Sequence, residues 1–172
     1  MSALAQMYQA AILEHARRTR HRGVLDPADA RQEGINPSCG DELLLTLRLS
    51  ADAVTEVRYE GKGCAISQAS ASLMAEAIEG RSREDAEALI GHVKAMIHGE
   101  GLHPDLGELA VLEGVRRLPA RVKCAALAWT TLEAALRTHP AGAASSAEPG
   151  GAEPDGAGPG CAAPDGTQPS GD

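Results

Sequence analysis

The sequence predicts an α+β fold, a small antiparallel β-sheet packed against several α-helices. Three observations carry this. Residues 43–61 alternate apolar and polar side chains at strand spacing around a short turn. Five other segments repeat apolar residues at helical spacing. Residues 1–138 hold ample aliphatic side chains for one core, although the chain has no Phe, one Trp and two Tyr.

The first helix is expected over residues 3–22, where Leu4, Met7, Tyr8, Ala11, Ile12 and His15 share a face. Arg17, Arg18, Arg20 and Arg22 suit its C-terminal dipole, and Gly23 would stop it. Pro27, Gly34, Pro37 and Gly40 punctuate residues 23–42, which read as loop. Leu43, Leu45, Leu47 and Leu49 mark one face of a strand, and Ser50-Ala51-Asp52 a turn. In the next strand Val54, Glu56, Arg58 and Glu60 oppose Thr55, Val57 and Tyr59, so the two segments pair as a hairpin. A helix over 64–79 follows, with Ile66, Ala69, Leu73 and Ala77 on one stripe and Gly80 just past its end. Ser82, with Asp85 three residues on, opens a helix to about His98. After a break at Gly99–Pro104, Leu106–Val115 is expected to be helical, ending near Pro119. A last helix runs from about Val122 to Thr138, with Leu127, Leu132, Ala135 and Leu136 inward.

Residues 1–138 therefore form one domain. Residues 139–172 contain 8 Gly and 6 Pro among 34 residues and no Val, Ile, Leu, Met or aromatic side chain. Such a segment buries too little apolar surface to offset its ordering entropy, and a disordered acidic tail is expected. Cys161 within it reads as an incidental exposed thiol.

The formal net charge is −8, of which five acids lie in the tail, leaving 16 basic against 19 acidic residues in the domain. That balance argues against a nucleic-acid binder, which needs a basic face. No apolar run approaches the roughly 18 residues of a membrane span, and the N-terminus lacks the marks of a secretory signal. The Arg-rich first helix has some likeness to a transit peptide, against which Glu14 counts. A cytoplasmic, reducing location is expected, and there cysteines serve metals or catalysis rather than disulfides.

Cys39, Asp41, Cys64 and Cys124 are the chemically distinctive residues. Three thiolates and a carboxylate make a four-ligand set for zinc or for an iron–sulfur cluster. The frames are Asn36-Pro37-Ser38-Cys39-Gly40-Asp41, Gly61-Lys62-Gly63-Cys64-Ala65-Ile66-Ser67, and Arg121-Val122-Lys123-Cys124-Ala125. Pro37 stiffens the approach to Cys39, and Gly40 lets the backbone bend close to an ion. Cys64 and Cys124 are both expected near helix N-termini, where the dipole favours thiolate. Separations of 25 and 60 residues mean that tertiary structure assembles the site. Inert buried cysteines are the bland alternative, against which the glycine, proline and charged neighbours weigh. His15, His21, His92, His98, His103 and His139 show no paired ligand spacing, so surface or capping roles are expected. Ser67, Ser70 and Ser72 read as packing residues.

Together with Met7-Tyr8-Gln9-Ala10-Ala11-Ile12-Leu13-Glu14-His15, these frames resemble the IscU/NifU-N superfamily of iron–sulfur cluster assembly proteins, most closely its SufU-type branch, over about residues 5–138. Two features set the branch. Lys123 stands where IscU-type proteins have histidine, and a long stretch between Cys64 and Cys124, including Gly99–Pro119, looks like the SufU-type insertion. The resemblance implies the IscU-like fold and a zinc-dependent sulfurtransferase. Such a protein accepts persulfide sulfur from a PLP-dependent cysteine desulfurase of SufS type and passes it to the SUF cluster-building machinery. It implies Cys39, Asp41, Cys64 and Cys124 as zinc ligands and Cys39 as the sulfur acceptor. Arg121 and Lys123 are candidates for partner docking or thiolate stabilisation, with solvated charges at a helix start as the equal alternative. The same four ligands could hold a [2Fe–2S] cluster on a scaffold, and a zinc protein that only binds a partner is a third reading.

Overall fold

A computed structural model describes residues 2–140, apart from the side chain of Leu4. Cys161 and nearly all of the expected acidic tail lie outside the described residues. The element order is α1 (Ala3–Arg17), β1 (Ala30–Asn36), β2 (Asp41–Leu49), β3 (Val54–Lys62), α2 (Ala65–Ile78), α3 (Arg83–Ile97), a 3₁₀ segment (Pro104–Arg117) and α4 (Pro119–Thr138). The strands form one antiparallel sheet in the order β1-β2-β3. Helix α4 packs on β1 and β2, and α2 packs on β3 and α4. The fold is α+β, as the periodicities require.

Strand β1 is the largest departure from the sequence reading, which has loop there. Its sequence, Ala-Arg-Gln-Glu-Gly-Ile-Asn, carries little β signal, and its burial alternates only weakly. Its partner supplies the order: Ala30 through Asn36 pair in register with Leu47 through Asp41. Gly34, a loop signal in sequence, is a packing residue. A Cβ at this position would run into Thr131 Oγ1 and press on Leu127, so α4 approaches β1 closely only over glycine.

The β2–β3 hairpin forms as expected, with a bulge that simple alternation misses. Arg48 pairs with Glu56 and Leu49 with Val54, leaving Thr55 over. The extra residue resets the alternation, so Val54, Val57 and Tyr59 all reach the core instead of Val54 opposing the other two. Thr55 Oγ1 donates to the Arg48 carbonyl at 3.1 Å across the bulge.

Helix α1 stops at Arg17, short of the expected end at residue 22. Tertiary pairing ends it. Tyr59 N–H donates to the His21 carbonyl at 2.9 Å, and Gly23 N–H to the Tyr59 carbonyl at 3.0 Å, so the chain runs beside β3. Arg18 turns off the helix to bind Glu76 of α2 at 2.7 Å. His15 and His21 are buried here, not at the surface as expected. Segment 106–115 is 3₁₀ rather than α, broken at Gly107 (φ 49°, ψ −125°).

The core is aliphatic, with Trp129 and Tyr59 as its two largest fully buried side chains. Ser67, Ser70 and Ser72 of α2 are buried, as packing residues should be. Ser70 Oγ accepts from Trp129 Nε1 at 3.0 Å and donates to the Ala125 carbonyl at 2.6 Å. That buried bridge fixes α2 against α4, the two helices that carry Cys64 and Cys124. Among the described residues no helix is long and apolar enough to cross a membrane.

Candidate metal centre

Four elements meet at one end of the sheet. The β1–β2 connection is a tight hairpin, Pro37-Ser38-Cys39-Gly40, closed by the Asn36–Asp41 pair. Cys39 and Gly40 N–H both donate to the Asn36 carbonyl, at 3.3 and 3.0 Å, and Gly40 takes φ 70°. Cys39 is exposed at the tip of this turn. Asp41 begins β2 and is fully buried beneath it. Strand β3 ends beside the start of β2, so Gly63 and Cys64 arrive next to Asp41. A Cβ on Gly63 would occupy the place of the Asp41 carboxylate. With glycine there, Cys64 N–H donates to Asp41 Oδ1 at 3.0 Å.

Helix α4 begins at Pro119, three residues before the expected start, with proline at a position whose missing N–H costs nothing. Cys124 is therefore in the second turn of the helix, and the dipole argument for its thiolate falls. It is completely buried. Burial pushes its thiol well above the ordinary range, and hydrogen bonding with Asp41, Cys39 and Cys64 pushes it further. Cys64 does sit at a helix start, as the N-cap residue of α2.

Donor atoms of Cys39, Asp41 and Cys124 lie within 4.8 Å of one another. Cys64 is half-buried and stands at the edge of this group, near enough to raise the Cys124 thiol pKa, without lying within that distance of all three. The structure thus brings all four predicted residues to one place, three of them as a tight cluster.

Two further side chains complete the site. Asn36, buried at the end of β1, donates its Nδ2 amide to Asp41 Oδ2 at 2.9 Å and to Cys124 Sγ at 3.5 Å. Sequence reasoning quoted Asn36 within its motif and gave it no role; its register opposite Asp41 is the signal. Arg121 extends its guanidinium to Cys39 Sγ at 3.7 Å. Hydrogen bonding to Cys124 and the charges of Cys64, Cys39 and Cys124 raise its pKa, so it stays cationic. Lys123 is exposed and makes no hydrogen bond or ion pair with the cluster among the described residues.

This donor set fits a thiophilic cation. A buried carboxylate holds one donor on each oxygen, leaving lone pairs free, and two sulfurs share its surroundings. Such a concentration of acceptors is costly without a positive charge among them. Arg121 supplies one only from the exposed side.

Residues 7–145 match the family described as the NifU-like N terminal domain. The chain is 44% identical over 132 residues to the iron–sulfur cluster assembly scaffold protein IscU of Thermotoga maritima, covering 76% of this chain and 93% of the relative. It is 39% identical over 132 residues to the zinc-dependent sulfurtransferase SufU of Bacillus subtilis, covering 76% and 89%. Among solved structures it superimposes with TM-score 0.73 and 35% identity on an iron–sulfur cluster assembly scaffold protein described for the SUF system of Fervidobacterium islandicum, covering 76% and 96%. The fold, the converging cysteines and these likenesses agree: the chain belongs to the NifU-like N-terminal domain family, the IscU/SufU group.

Proposed function

We propose that this protein serves iron–sulfur cluster assembly as a zinc-bound sulfur carrier, accepting persulfide sulfur on Cys39 from a cysteine desulfurase of SufS type. The ligands in this reading are Cys39, Asp41, Cys64 and Cys124. The observation that carries it is the asymmetry of the cluster. Cys39 alone is exposed, on a hairpin tip, while Asp41 and Cys124 are buried beneath it. A partner can reach the first without disturbing the other two. The Bacillus subtilis relative named as a zinc-dependent sulfurtransferase supports the same reading.

When bound, zinc supplies the Lewis acidity that holds these thiols as thiolates at neutral pH. The chain's own residues do the rest. Asn36 and the Cys64 N–H aim the Asp41 carboxylate at the sulfurs. Arg121, with its guanidinium 3.7 Å from Cys39 Sγ, would stabilise a free Cys39 thiolate. Cys39 then attacks the outer sulfur of the desulfurase persulfide. A new sulfur–sulfur bond forms on Cys39, the bond within the donor persulfide breaks, and the desulfurase cysteine leaves as a thiolate that takes up a proton. No external oxidant or reductant enters. The persulfide on Cys39 is then passed to the SUF cluster-building machinery.

A second reading has support of its own. The Thermotoga maritima and Streptococcus pyogenes relatives, 44% and 38% identical, are named IscU scaffold proteins, and the same residues suit a [2Fe–2S] cargo. One experiment separates the two. The purified protein is assayed for bound metal and for stimulation of its cognate desulfurase, as wild type and as Cys39→Ala. Zinc occupancy with stimulation that depends on Cys39 supports the carrier. A stable, transferable cluster with no stimulation would sink it in favour of the scaffold.

A further inference from the structure

A second group of metal-type donors lies apart from the cysteines. His92 comes from α3, and His103 and Asp105 from the start of the 3₁₀ segment. One donor atom from each lies within 4.8 Å of the others. The two imidazole rings stack with centroids 3.6 Å apart at 10°. Sequence spacing hides this pair, because the residues sit on different elements on either side of the Gly99–Pro104 break.

The arrangement brings several electron-pair donors close together. His103 Nδ1 accepts the Asp105 N–H at 3.3 Å, capping the 3₁₀ segment. Asp105 Oδ2 nevertheless lies 3.4 Å from that same Nδ1. An accepting nitrogen facing a carboxylate oxygen is repulsive unless a proton or a metal ion lies between them. His92 adds a further ring nitrogen from the neighbouring element.

We propose that His92, His103 and Asp105 form a second, surface metal site for a late first-row divalent cation such as zinc. Two imidazole nitrogens and a carboxylate oxygen are a borderline donor set suited to such ions, without the sulfur that dominates the first site. Solvent water fills the remaining positions, since His103 and Asp105 are exposed. The stacked rings hold their nitrogen lone pairs in nearly parallel planes 3.6 Å apart at the centroids. Binding therefore turns the exposed His103 ring about its Cβ–Cγ bond until both nitrogens meet one ion. The ion then clips the 3₁₀ segment to α3 across a connection in which Gly99 and Gly101 both have positive φ. Because the folded state alone presents the three donors together, occupancy stabilises the fold by mass action.

The test is zinc stoichiometry on the full chain, by titration calorimetry with metal analysis and thermal denaturation, beginning from protein with one zinc equivalent bound. Wild type is expected to take up a second, weaker equivalent and to gain a few degrees in Tm. His92→Ala and Asp105→Asn are each expected to abolish that second equivalent and the Tm gain while keeping the first. Absence of a second equivalent in wild type, or its retention in either variant, would overturn the proposal. Neither outcome bears on the role of Cys39, which the desulfurase assay reads separately.

Discussion

Asn36 shows how much of the candidate metal centre rests on a neutral residue. Its single amide reaches both the buried carboxylate and the buried thiol. Asn36→Ala is expected to lower zinc affinity by about 10–100-fold, the usual consequence of losing a residue that orients metal ligands. It should also cost about 1–3 kcal/mol, because Asp41 keeps its buried oxygen and loses the donor. Competition with a chromophoric chelator and a denaturant titration check the two effects. Gly63→Ala is expected to displace the Asp41 carboxylate and weaken metal binding with little change in the distant core; the same chelator assay measures it. At this scale the four proposed ligands are visible in the sequence through their unusual frames. Arg121 was a candidate for thiolate stabilisation from its place beside Cys124, and its contact is with Cys39; the role of Asn36 is not visible, since it depends on side chains brought in from other elements.

Elements are tied together by two links, one buried and one half-buried. The Trp129–Ser70–Ala125 bridge sets the spacing of α2 and α4. Ser70→Ala leaves the Trp129 N–H buried without a partner, and a loss of about 1–3 kcal/mol is expected by urea denaturation followed on Trp129 fluorescence. At the other end of α2, Glu79 accepts from Val57 N–H at 3.1 Å and pairs with His21 and Arg58. Burial alone would raise the Glu79 carboxyl, but the Val57 hydrogen bond and the nearby His21 and Arg58 outweigh it and hold it below the ordinary value. Its folded pKa is thus lower than its unfolded one, so its contribution is complete above the unfolded value. The contribution is lost as pH falls through about 4.3 toward the folded value. Glu79→Gln should flatten the acid side of the stability profile, read as urea midpoints from about pH 7 to about pH 3. The helices and the β2–β3 hairpin were legible from period and turn residues. Strand β1 was not, because its order comes from register with β2 and from α4 closing over Gly34. The bulge at Thr55 and the early end of α1 are likewise set by partners outside the local sequence.

For the whole molecule, the sheet gathers the hairpin tip of Cys39, the strand end before Cys64 and the flank of α4 at one end. The α+β class and this gathering were within reach of the sequence. The choice of Cys39 among the proposed ligands was also expected from the sequence, through the family resemblance; the burial that separates Cys124 from Cys39 was not, because burial is a property of the assembled fold. The 3₁₀ segment packs most extensively on α3. The central claim is that exposed Cys39, and not the buried or half-buried cysteines, receives sulfur. It is tested most directly by reacting the protein with its desulfurase and cysteine, then mapping persulfide by peptide mass spectrometry. The added mass of one sulfur atom is expected on the Cys39 peptide of wild type, with no persulfide elsewhere in Cys39→Ser. Persulfide on Cys64 or Cys124 with Cys39 unmodified, or transfer undiminished in Cys39→Ser, would contradict it.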